Sequence, residues 1–149
     1  SIGLNGMALG QSMDINSDKM NSSIEVLERL QELKTGALIK ASCVIPFLLS
    51  KNYEEIYLAD IANIGHLIGK IYQITDDILD IESNTETLGK TAGKDRKNNK
   101  MTYISLMGKE EALKIKANIF ENLNKSIEQY PRKLKALQNL VHYIYKRAY

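Results

Sequence analysis

Apolar residues recur along this chain every three or four positions, the spacing of helices packed on one side. The first such stretch covers residues 2–15, with Leu4, Met7 and Gln11 close to one face. Gly3, Gly6 and Gly10 stand at i, i+3 and i+7 in it. Glycine weakens a helix, so this stripe predicts a close neighbour against that face. The polar run NSDKMNSS follows, where Ser22 or Ser23 can cap the next helix and Glu25 falls in its first turn. That helix carries Ile24, Leu27, Leu30 and Leu33 or Lys34 on its stripe; Thr35-Gly36 interrupts it, and Pro46 kinks its far end or marks a tighter turn. A long helix is predicted over residues 54–81, with isoleucines and leucines spread widely around its wheel, which places it centrally. Residues 83–99 are polar and contain glycine, and read as a loop of functional length. Two further helices, KMTYISLMG and KEEALKIKANIFENLNKSIEQY, precede a last one that opens at Pro131 in the favoured N1 position. No alternating strand pattern occurs. The expected fold class is all-α, a helical bundle.

Composition narrows the function. With 149 residues and 44% apolar content, the chain can bury one respectable core. A net charge of +2 is far from the basic balance of a nucleic-acid binder. The one cysteine, Cys43, fits a reducing, cytoplasmic compartment. No apolar run approaches the roughly 20 residues of a membrane span; the best, CVIPFLL, is broken by Pro46. The chain opens at Ser1 straight into helical pattern, which reads as the interior of a longer protein.

The chemistry begins at YQITDDILDIES, residues 72–83. Asp76 and Asp80 stand at i and i+4 and share a face, while Asp77 sits about 100° round the helix. Acids on a solvated helix end would be ordinary, but Ile74, Ile78, Leu79 and Ile81 flank these closely. Buried carboxylates need cations, and hard oxygen ligands at this spacing suit Mg²⁺ shared with phosphate oxygens. In LKTGALIK, Lys34 and Thr35 stand where Gly36 lets the helix open and free a carbonyl. Lys90, Lys94, Lys97 and Lys100 lie on a glycine-bearing stretch that can offer amides and ammonium groups to phosphates, without the spacing of a P-loop. Gln11 and Asp14 share a helix face in GMALGQSMD. Each signal taken alone has a bland reading as surface charge or amphipathicity. Together they describe a site for a magnesium diphosphate.

In order, GMALGQSMD, KTGALI, GKIYQITDDILD, TLGKTAGKD and NKMTY resemble the C-terminal half of the trans-isoprenyl diphosphate synthases, the polyprenyl synthetase family, over essentially the whole chain. TLGKTAGKD followed by K-x-T-Y most resembles the short-chain bacterial branch, the farnesyl and geranylgeranyl diphosphate synthases. The resemblance implies the C-terminal part of an isoprenoid synthase fold, with residues 1–149 as a partial domain. It implies that an allylic diphosphate, dimethylallyl or geranyl, condenses with isopentenyl diphosphate with the help of Mg²⁺.

Carried over residue by residue, Asp76 would ligate Mg²⁺, with Asp77 and Asp80 in support largely through waters. Lys34 and Lys90 would hold the allylic diphosphate, with Lys100 behind them. Thr35, through its carbonyl, and Gln73 would face the allylic cation. Gln11 and Asp14 would orient lysines, and Arg147 would belong to a basic tail closing over isopentenyl diphosphate. The family needs two aspartate-rich motifs and this chain carries one D-D-x-x-D. The expectation is therefore an inactive fragment, lacking an N-terminal half and derived from a parent that is a homodimer. Three alternatives stand beside it: a regulatory subunit of a prenyl diphosphate synthase, a terpene cyclase, and a plain helical module.

Overall fold

In the computed structural model, residues 1–17, 20–51, 54–82, 101–130 and 134–147 are described in full, and residues 83–87 by their backbone. Among the described residues seven α-helices follow one another: α1 (Met7–Ile15), α2 (Ile24–Gln31), α3 (Ala37–Leu48), α4 (Leu58–Thr87), α5 (Tyr103–Met107), α6 (Lys109–Glu128) and α7 (Lys135–Lys146). A π-helical turn, Glu32–Gly36, joins α2 to α3, and a 3₁₀ turn, Glu55–Tyr57, leads into α4. No strand occurs among the described residues, and none of their helices is long and apolar enough to cross a membrane.

Helix α4 is the axis of the bundle. Ile61, Ile64, Ile68, Ile71, Ile74 and Ile78 are all buried along it. It meets α2, α3, α5, α6 and α7, as its wide apolar surface predicted. Burying each of these side chains contributes about 1.5–3 kcal/mol, so this one helix supplies much of the core. Leu27 and Leu30 of α2, Leu123 and Ile127 of α6 and Val141 and Ile144 of α7 close around it.

Several boundaries differ from the sequence reading. Helix α1 starts at Met7 with Gly6 as its N-cap, so the first six residues lie outside it. Ser23 is the cap of α2, its hydroxyl accepting from the Val26 amide at 3.3 Å. Pro46 lies inside α3, two residues before its end at Leu48. Helix α4 runs on to Thr87, into the region expected to be loop, because Glu82 and its successors include no helix breaker before Gly89. The last helix begins at Lys135 rather than at Pro131, which lies outside the described residues.

The glycine stripe divides by position. A Cβ on Gly10 would stand 2.3 Å from the Lys34 backbone nitrogen, so α1 meets the π turn backbone to backbone there. Around Gly3 there is nothing within 4 Å. On the other side of the π turn, a Cβ on Gly69 would stand 3.0 Å from Gly36 Cα. Gly10→Ala should therefore cost about 1–3 kcal/mol of stability by overpacking, while Gly3→Ala stays within about 0.5 kcal/mol of the parent. Urea unfolding of both variants checks this, and equal midpoints would contradict it.

Candidate functional site

The site is built where the π turn crosses α4. A π turn carries one residue more than an α turn for the same hydrogen-bonded span, so it bulges and re-aims the side chains on it. Thr35 Oγ1 donates to Gln73 Oε1 across the crossing at 3.3 Å. Lys34 Nζ turns the other way and pairs with Asp14 Oδ2 of α1 at 2.5 Å. Gly10, one helical turn before Asp14, gives α1 the close approach this pairing uses. Gln11 is exposed. Lys90 and Lys100 lie outside the described residues.

The three aspartates of the D-D-x-x-D motif on α4 face three environments. Asp76 is half-buried; Arg147 Nη1 donates to its Oδ1 at 2.9 Å. The same guanidinium lies 5.8 Å from the Tyr72 ring centroid. Burial pushes the Asp76 carboxyl above the ordinary aspartate value, and the negative charge of Asp80 adds to this; Arg147 and the Tyr72 hydroxyl pull it back only in part. Asp80, one turn on, is exposed. Asp77 is 3% exposed and points into the bundle. Its Oδ1 accepts from Gln73 Nε2 at 3.1 Å. Its Oδ2 accepts from Gln31 Nε2 at 3.4 Å and from the Tyr103 backbone amide at 3.2 Å.

Asp76 and Asp80 fit a divalent cation: hard oxygens, one face, partial access to solvent. Asp77 does not share that face. Among the described residues, no three His, Cys, Asp or Glu side chains converge as a metal cluster. Next to Tyr72 and Arg147 lies a cavity of about 570 Å³ between α3, α4 and α7, otherwise lined mostly by apolar residues such as Ile39, Ile68 and Leu137.

Four participants went unread in the sequence. Gln31, Tyr72 and Tyr103 touch the aspartates as described. Glu28 accepts from Lys70 Nζ at 2.6 Å and from the Tyr103 hydroxyl at 3.4 Å, and burial together with Glu28 pushes the Tyr103 phenol well up. Gln31 did carry a signal: it lies four residues after Leu27, a polar residue on the buried stripe of α2. Tyr103 serves through its backbone, which no side-chain pattern reveals.

Solved structures share this fold. A geranyltransferase from Legionella pneumophila matches 97% of the chain with a TM-score of 0.78 at 25% identity, over 46% of its own length. A geranyltransferase from Helicobacter pylori complexed with magnesium and isoprenyl diphosphate matches 96% of the chain with a TM-score of 0.72 at 26% identity, over 48% of its own length. The polyprenyl synthetase family model matches residues 2–143, and the chain belongs to that family. Among relatives, farnesyl diphosphate synthase of Micrococcus luteus is 35% identical over 97% of the chain, and that of Escherichia coli 33% identical over 97%. The chain spans about half the length of these curated relatives, 50% of each.

The raised Asp76 carboxyl has a consequence for stability. The folded chain keeps this proton at pH values where the unfolded chain has lost it. Stability from the protonated form is thus lost as pH rises from the ordinary 3.8 through the raised value. Asp76→Asn, which cannot ionise, should unfold at higher urea than the parent at about pH 7 in chelator-treated buffer, the two converging near pH 3. Urea midpoints across this range check the sign; a less stable variant at neutral pH would contradict it.

Proposed function

We propose that this chain is the part of a trans-isoprenyl diphosphate synthase that grips the allylic diphosphate. The observation that carries the reading is the crossing of the π turn and α4. There Thr35 is linked to Gln73, on the helix of Asp76 and Asp80, by a hydrogen bond of 3.3 Å, and Lys34 of the same turn pairs with Asp14. Family membership supports it.

In this reading the allylic C–O bond breaks and its electron pair leaves with the diphosphate. The C4 double bond of isopentenyl diphosphate attacks the allylic cation, and loss of a proton gives a product five carbons longer. Asp76 and Asp80 would hold Mg²⁺. Bound Mg²⁺ supplies the positive charge that steadies the departing phosphate oxygens. Lys34, kept in place by Asp14, adds an ammonium to the same oxygens, with Lys90 and Lys100 as further candidates on the K-rich stretch. The Thr35 carbonyl and Gln73 Oε1 present negative ends of dipoles to the allylic cation. Arg147, which pairs with Asp76, would be the residue of this chain that meets isopentenyl diphosphate.

Two tests bear on this. With inorganic diphosphate present, calorimetry should detect Mg²⁺ binding that Asp76→Asn weakens about tenfold or more and Lys34→Ala weakens to a lesser degree. With geranyl and isopentenyl diphosphates the isolated chain should give no turnover, because the other aspartate-rich motif of the family, the first in chain order, is not among its 149 residues. Undiminished metal binding by Asp76→Asn, or brisk turnover, overturns the respective statement.

The same reading explains α3. Its sequence ALIKASCVIPFL is apolar nearly all round, yet none of its residues is buried. Leu38, Ile45 and Leu48 are all exposed. In the proposed whole enzyme, helices of the N-terminal half cover this surface, and two such enzymes pair as a homodimer. By itself the chain should self-associate through it; light scattering showing a monomer across a wide concentration range would count against that.

A further inference from the structure

We propose that Asp77 is a positioning residue that fixes the carboxamide of Gln73 from inside the bundle, leaving the magnesium diphosphate to Asp76 and Asp80. The proposal rests on the reading above for the metal, and on geometry alone for Gln73.

Neighbouring residues leave a helix about 100° apart. Asp76 is directed to Tyr72 and Arg147, Asp77 to Gln73. Asp77 is 3% exposed, and among the described residues its carboxylate takes N–H donors from three elements: Gln73 of α4, Gln31 of α2 and the first amide of α5. A cation seated on these oxygens at about 2.0–2.1 Å, in the octahedral shell Mg²⁺ requires, would displace those donors. The N–H groups would then be buried without partners.

The arrangement also has a direction. A carboxamide can turn over, exchanging its oxygen and its NH₂ in the same space. A carboxylate accepts only, so Asp77 admits the NH₂ of Gln73 and forbids the oxygen. Gln73 Oε1 is thereby held on the Thr35 side, where it accepts from Thr35 Oγ1. Gln31 is subject to the same constraint: its NH₂ faces Asp77, and its Oε1 is left buried with no hydrogen-bond partner. Turning Gln31 over would set oxygen against oxygen at Asp77. The unpartnered Oε1 marks how firmly the carboxylate dictates the orientation of both glutamines. Asp77 thus decides that an oxygen, rather than an NH₂, is presented where the allylic cation forms.

The test is NMR on the labelled chain. During a Mg²⁺ titration with inorganic diphosphate, the carboxyl carbons of Asp76 and Asp80 should shift and that of Asp77 should stay in place. In Asp77→Asn, whose side chain offers donor and acceptor alike, the Gln73 NH₂ signals should move and exchange faster. Mg²⁺–diphosphate affinity should stay within about threefold of the parent, against about tenfold or more lost in Asp76→Asn. If Asp77→Asn does not fold, Gln31→Ala should shift the Asp77 carboxyl carbon and leave that of Asp76 unchanged. An Asp77 carboxyl that titrates with Asp76, or metal affinity lost equally in the two variants, overturns the proposal. If no aspartate responds to Mg²⁺, it is the magnesium reading that fails. The Gln73 signals then decide this one, and signals unmoved in Asp77→Asn overturn it.

Discussion

The site depends on how closely the π turn lies against its neighbours. Gly36 faces Gly69 of α4, and Gly10 of α1 faces the backbone of Lys34. With no Cβ on either flank, an irregular turn is held between two helices at backbone distance. Were side chains present at Gly10 and Gly69, the turn would stand further out. The short side chain of Thr35 could then not reach Gln73. The glycines cost helix propensity, and the tight crossing offsets that cost with packing. Lys34 and Thr35 gain their opposite directions from this one irregularity: the ammonium to Asp14, the hydroxyl to Gln73.

Three aspartates within five residues would repel one another if they shared one environment. The fold separates them. Asp80 keeps water, Asp76 takes a guanidinium at the edge of the bundle, and Asp77 is answered by N–H donors inside it. Only the Asp76 carboxyl is both half-buried and raised by that burial, the condition of a ligand that gains from a cation. The interior hub extends past Asp77. Tyr103 links it by its backbone to α5 and by its hydroxyl to Glu28, which is in turn paired with Lys70. Helices α2, α4 and α5 are thereby tied by polar contacts at the same level as the site.

Helix α3 shows the other side of this architecture. The core around α4 is fully formed, with Leu27, Ile64, Ile71, Ile74 and Leu123 completely shielded from water, while an equally apolar helix beside it has no buried residue. The chain matches half the length of its relatives, and a bundle of that family with twice the helices would have apolar partners to set against such a surface.

The sequence by itself determined the helices, because spacing of three and four writes the buried stripe directly: the central α4, a cap at Ser22 or Ser23 and the break at Thr35-Gly36 were all legible. Its ordered motifs also brought the polyprenyl synthetase family into view, and the family model agrees. It could not fix where helices begin and end: α4 continues to Thr87 and the last helix starts at Lys135. Above all, it could not name the protein partners of Asp76, Asp77 and Asp80. A helix wheel states the angle between residues but not what stands opposite each angle. Only the tertiary structure put Arg147 before Asp76 and Gln31 and the Tyr103 amide before Asp77. Those partners come from 46, 26 and 71 residues away in the chain, and contacts across such separations are created by packing alone.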